Sequence, residues 1–148
     1  MRRKTRLLVY GTGGHGRVVL DAALRSSEFN VIGLLEDDSS LHGKAILGVE
    51  VLGGIELLGK DALSGAAIIV AIGDAKRREE VVGRVERLGY RFAAVVHPSA
   101  ILGTGATVGE GSVLLPLAVV HTGAAVVEDV PAGSTVGGVP ARRITGNG

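Results

Sequence analysis

The sequence predicts an α/β chain in two parts: a parallel sheet flanked by helices over residues 1–96, then a short parallel β-helix over residues 97–148. Three observations carry this. Aliphatic residues at Leu102, Val108, Leu114, Val120 and Val126 advance by six without a slip. Small residues at Ala100, Ala106, Ser112, Ala118 and Ala124 do the same. Fixed hexapeptide periodicity is the signature of a parallel β-helix. Ahead of it, Leu7–Leu20 reads as strand, glycine turn and helix, and strands and helices then alternate up to Val96, which implies right-handed βαβ units.

The elements follow in order. Arg6–Tyr10 is an apolar strand, Gly11–Gly16 a tight turn, and Arg17–Arg25 a helix with Val18, Val19, Ala22 and Ala23 inward. Asn30–Leu35 is a second strand. Ser39–Val49 is expected to be a polar loop and Ile55–Leu58 a short helix. Ala66–Ile72 is the most apolar strand, Ala75–Leu88 an amphipathic helix with Val81, Val82, Val85 and Leu88 inward, and Arg91–Val96 a last strand. At His97-Pro98 helical patterning stops and the six-residue beat begins.

Composition narrows the function. Aromatic residues are 3% of the chain and tryptophan is absent, so the core has to be built from Val, Leu, Ile and Ala, as suits buried parallel strands. A net charge of +1 argues against a nucleic-acid or membrane surface as partner. The basic cluster Arg2, Arg3, Lys4 and Arg6 reads as a solvated tail, not a leader. No apolar run approaches membrane-spanning length. With no cysteine and no histidine pair at ligand spacing, no metal site is expected. A cytoplasmic protein is expected.

The chemistry-bearing motif is Gly11-Thr-Gly-Gly-His-Gly16, which satisfies G-x-G-x-x-G between a strand and a helix. Glycines let the backbone turn tightly and approach a ligand, and the helix N-terminus attracts phosphate. Glu36 stands twenty positions after Gly16, at the end of the next strand, where a Rossmann fold hydrogen-bonds a ribose or base. Glycine packing alone is the competing reading. Gly73-Asp74 closes the central strand. Gly73 allows close approach of a ligand, and Asp74 is a candidate cap for the following helix. Of the histidines, His15 sits in the glycine loop, His42 in a polar loop, His97 at the junction and His121 at a β-helix turn.

Taken together, Tyr10-Gly-Thr-Gly-Gly-His-Gly16, Gly33-Leu-Leu-Glu-Asp-Asp38, Gly48-Val-Glu-Val-Leu-Gly-Gly54, Ala71-Ile-Gly-Asp74, His97-Pro-Ser-Ala100 and Gly138-Val-Pro-Ala-Arg142 resemble one family. It is that of the sugar O- and N-acetyltransferases of sialic-acid and bacillosamine-type pathways. The resemblance implies a Rossmann-like N-terminal domain joined to a left-handed β-helix of hexapeptide repeats, and a homotrimer. It implies a UDP-linked amino sugar in the N-terminal domain, acetyl-CoA as co-substrate along the β-helix, no metal, and a β-helix histidine as general base. By position, Gly13, Gly14 and His15 would contact the nucleotide-sugar, Glu36 and Asp37 would lie at the uridine end, and Gly73 would line the same pocket.

One departure bears on catalysis. Family members run several further coils between the segment like His121-Thr-Gly-Ala124 and the closing segment like Val127-Glu-Asp-Val-Pro131. Here the two abut, and the six-residue register is expected to continue across the join. No family histidine carries over. His121 is the nearby candidate, at a position where the family more often has an amide. Continuing the early pattern puts Glu128, beside Asp129, at the catalytic histidine's place. About two coils remain at three hexads per turn, and so short a stack needs the N-terminal domain or a trimer for support. Two alternatives stand beside the acetyltransferase reading. One is a non-catalytic nucleotide-sugar-binding remnant or minimised form, the other an NAD-type dinucleotide-binding module.

Overall fold

The structure, a computed structural model, describes residues 2–144. Strands β1 (Thr5–Tyr10), β2 (Phe29–Leu35), β3 (Ala45–Ile46), β4 (Val49–Gly53) and β5 (Ala67–Val70) form one sheet in the order β3-β4-β2-β1-β5. Every pairing except the β3–β4 hairpin is parallel. Successive β1 residues point to opposite faces, so both faces must be covered. Leu7 and Val9 pack under helix α1 (Gly14–Arg25). Leu8 and Tyr10 pack under helix α2 (Ala75–Arg87) with Val81 and Val85. This is the expected Rossmann-like layering.

Several local expectations are corrected. Helix α1 begins at Gly14, inside the glycine turn, and Val18 faces outward. The stretch expected to be an irregular loop contains the β3–β4 hairpin, turned by Leu47 and Gly48 with φ of 49° and 80°. Those are the left-handed values that a two-residue hairpin turn requires. Ile55–Leu57 makes a single 3-10 turn. The segment Arg91–Val96 divides. Phe92 bridges to Ile68 on the sheet edge, while β6 (Val95–Val96) pairs with β9 (Val113–Leu114) in the β-helix.

The β-helix stacks two-residue strands on three faces. Its first coil is β6, β7 (Ile101–Leu102) and β8 (Thr107–Val108). Its second is β9, β10 (Val119–Val120) and β11 (Ala125–Val126). Partners in these coils are eighteen residues apart, as Val95 with Val113 and Thr107 with Ala125, which is three hexads per turn. The third, closing turn breaks that register. Leu114 bridges Val130, and Val119 pairs with Thr135 of β12 (Thr135–Gly137), each only sixteen residues on. The expectation that the beat runs unbroken across the join is thus wrong: the segment Val127–Pro131 cuts a corner, so Val130 and Val136 fill the interior.

The interior is narrow, and the small residues of the beat make room for it. Ser112, Ala118 and Ala124 are buried beside Leu114, Val120 and Val126. Turns recur every six residues with left-handed backbone at Gly105, Gly111, Leu117 and Gly123, φ 75°, 82°, 62° and 71°. Leu117 is the one non-glycine among these four. Support comes from the sheet domain, because Val95 and Val113 belong to the same apolar core as α1.

Candidate functional site

The site sits where strand order reverses. From β1 the chain runs outward to β2 and β4 on one side and returns to β5 on the other. In open α/β sheets ligands bind outside the carboxyl ends of the strands at this switch point. The β1–α1 turn and the β5–α2 turn both end here.

The four loop glycines have two different jobs. A Cβ on Gly11 would meet the Ala71 carbonyl oxygen at 2.5 Å, at φ +122°. A Cβ on Gly16 would overlap the Gly11 carbonyl oxygen. Both are required for α1 to pack on β1 and β5. Gly13 and Gly14 have nothing within 4 Å of the position a Cβ would take. Internal packing does not explain those two. Helix α1 also starts without a side-chain cap, whereas Asp74 Oδ1 accepts the Arg77 N–H at 2.8 Å and caps α2 as expected. The first-turn N–H groups of α1 are therefore free for an anion.

Beside this loop, between the sheet domain and the β-helix, lies a cleft of about 530 Å³. His15 and Gly73 border it from the sheet domain, with Arg78 of α2. Glu110 and Ser112 border it from the turn between β8 and β9, and Glu128 and Asp129 from the closing segment. Arg78 is fixed by donating Nη1 to the Ile72 carbonyl at 3.1 Å. His15 Nε2 lies 3.4 Å from Asp129 Oδ2, with the two side chains 25% and 29% exposed. The other Asp129 oxygen accepts the Val113 N–H at 2.9 Å.

The acidic pair at the end of β2 stands apart from this cleft. Thr12 donates to Glu36 Oε1 at 2.5 Å, and buried Tyr10 donates its hydroxyl to Asp37. Arg77 Nη2 lies 3.4 Å from Asp37 and 3.8 Å from Glu36. Burial, and then the hydrogen bond and negative charge of Asp37, hold the Tyr10 hydroxyl well above its usual pKa. His42, in the loop read as polar, bonds the Glu36 carbonyl through Nε2 at 2.6 Å and pins the loop. His97 Nδ1 accepts the Ser99 N–H at 3.0 Å at the junction.

So the structure brings His15 and Gly73 together at the cleft, puts Gly13 and Gly14 at the open start of α1, and holds Glu36 and Asp37 in a separate polar cluster. His121 lies away from the cleft, exposed beside Gly137. Asp129 and Arg78 were not singled out as site residues from the sequence. Arg78 reads as one more cation on an amphipathic helix, and only the Glu-Asp pair falling where a base was expected hinted at Asp129.

Residues 6–85, more than half of the chain, match the family of the PglD N-terminal domain. The chain belongs to the PglD N-terminal domain family. The kinship expected from the quoted segments is thereby established. Beyond this PglD-type part, whole-chain likeness to solved structures shows the fold. The acetyltransferase domain of PglB from Neisseria gonorrhoeae FA1090 is 22% identical with a TM-score of 0.67, over 95% of this chain and 100% of that one. The same domain in complex with acetyl coenzyme A gives 23% and 0.68, over 96% and 100%. PerB from Caulobacter crescentus in complex with CoA and GDP-perosamine gives 20% and 0.60, over 94% and 97%. No curated protein sequence matches the chain.

Proposed function

We infer that this protein transfers an acetyl group from acetyl-CoA to the amino group of a nucleotide-linked sugar. The observation that carries the reading is the cleft, in which the uncapped PglD-type glycine loop and Gly73 face β-helix carboxylates across about 530 Å³. The loop offers Gly13, Gly14 and free N–H groups to a diphosphate. Glu36 and Asp37, with Arg77, are the groups for the nucleoside end, a uridine on this reading. Glu110, Glu128 and Asp129 suit a cationic sugar amine. The likeness to folds solved with acetyl-CoA and with CoA and GDP-perosamine supports the donor and the acceptor class.

The work divides between residues 1–96, which hold the nucleotide-sugar, and residues 97–148, which carry the donor. Exposed Ile101, Leu117 and Val139 on the β-helix support a homotrimer that completes the acetyl-CoA surface. The compartment is the cytoplasm. Chemically, the amine lone pair attacks the thioester carbonyl, the C–N bond forms, the C–S bond breaks, and CoA leaves as the thiol.

The test is thiol release from acetyl-CoA on adding UDP- and GDP-linked 4-amino sugars to the purified chain. Release that depends on the amino sugar supports the reading. Folded protein that is thermally stabilised by a UDP-sugar but releases no thiol supports the non-catalytic alternative, for which it counts that no β-helix histidine borders the cleft among the described residues. Stabilisation by NAD in preference to nucleotide-sugars revives the dinucleotide module.

A further inference from the structure

Among the described residues no β-helix histidine borders the cleft, which contains instead a different imidazole–carboxylate pair. His15 Nε2 is buried and makes no hydrogen bond within the described residues. The polar group that faces it is Asp129 Oδ2 at 3.4 Å. An unsatisfied buried nitrogen is costly, and a carboxylate acceptor resolves the cost only if Nε2 carries the proton. That leaves Nδ1 deprotonated, with no bond to any described residue, on a ring that borders the cleft. Asp129 is itself held, because Val113 N–H takes its second oxygen at 2.9 Å. The arrangement has three parts: a base, a carboxylate that fixes its tautomer, and a backbone donor that fixes the carboxylate.

We propose that His15 is the general base of the acetyl transfer and that Asp129, reaching it from the closing β-helix segment, is its positioning residue. This deepens the function proposed above and rests on it. His15 Nδ1 takes the amine proton as the C–N bond forms. Asp129 stabilises the resulting imidazolium through Nε2–H. The imidazolium returns the proton to the CoA sulfur as the C–S bond breaks, so protons and electrons balance with no further reactant. Proton abstraction therefore depends on two segments, the glycine loop and the closing β-helix segment, that meet at this cleft.

The experiment compares wild type, His15→Gln, Asp129→Asn and Asp129→Glu in acetyl transfer across pH, with nucleotide-sugar affinity measured separately by calorimetry. The charged groups sharing the cleft with His15 are Arg78, Glu110, Glu128 and Asp129, so only the Asp129 variants are read as changes in its partner. His15→Gln is expected to lower kcat by about 100-fold or more, as expected for loss of a general base, with affinity nearly unchanged. Asp129→Asn is expected to lower kcat and move the acidic limb of the pH profile to lower pH, and Asp129→Glu to restore part of both. His15→Gln at wild-type kcat, or a loss confined to affinity, overturns the base. An Asp129→Asn enzyme with an unmoved profile overturns the pairing. Wild type without transfer at any pH is a different failure, because it overturns the function and the base with it.

Discussion

Replacing the loop glycines one at a time separates those that hold the fold from those that admit a ligand. A methyl group on Gly16 would overlap the Gly11 carbonyl oxygen and stand 2.6 Å from its carbon and 3.3 Å from the Ala71 oxygen. All three are backbone atoms, so no side-chain rotation relieves the contact. Helix α1 must lift from β1 and β5, loosening Val19, Leu20, Ala22 and Ala23. Overpacking of this kind costs about 1–3 kcal/mol, offset by up to about 1 kcal/mol of helix propensity. The expected net loss for Gly16→Ala is about 2 kcal/mol, or roughly 4–8 °C in Tm for a chain of this size. Gly14→Ala meets open space and gains propensity, so its Tm should match or slightly exceed wild type. Its cost should instead appear as weaker thermal stabilisation by a UDP-sugar. Paired thermal melts with and without ligand read both effects. Equal melting temperatures for the two variants, or a Gly14→Ala protein as unstable as Gly16→Ala, would refute the division of labour.

Three further outcomes are expected. Leu117→Gly should raise stability by about 1 kcal/mol in chemical denaturation, because φ 62° strains a residue with a Cβ and the leucine side chain is 67% exposed. Asp74→Ala should lower it by about 1 kcal/mol by removing the α2 cap, with Asp74→Ser restoring most of the loss. Tyr10 keeps its proton longer when folded than unfolded, so its contribution is fully present below pH 10 and lost as pH rises above it. Wild type should therefore lose stability above pH 10 at up to about 1.4 kcal/mol per pH unit, a slope that Tyr10→Phe flattens, as urea midpoints between pH 8 and 11 would show.

What the sequence made legible follows from distance along the chain. The beat from Ala100 to Val126 was readable because each residue's place, buried or turning, is set by neighbours six positions away. The glycine loop was readable because strand, turn and helix are contiguous. The β3–β4 hairpin escaped because Leu47-Gly48 is not a usual turn pair, and the strand it starts is short. The slip from eighteen to sixteen residues escaped because Val127–Pro131 has no neighbour in the repeat to announce it. His15 and Asp129 are more than a hundred positions apart, and only the docking of β6 and β9 onto the α1 core brings them together. Glu36 and Asp37 were correctly read as a strand-end pair, yet their engagement by Thr12, Tyr10 and Arg77 is a matter of side-chain reach that no spacing encodes.

The last rung of the β-helix has a consequence for how copies of the chain meet. A stack of parallel coils ends in unpaired backbone groups, which would template the next coil and, between molecules, a filament. Here the strand Arg142–Arg143 turns back antiparallel onto Thr135–Gly137, placing Arg143 opposite Val136. That reversal seals the row of donors and acceptors in the wrong direction for another parallel coil, and it sets two cations at the tip. The edge of Thr135–Gly137 is thereby occupied by the chain's own Arg142–Arg143 strand and is not open to a further parallel coil.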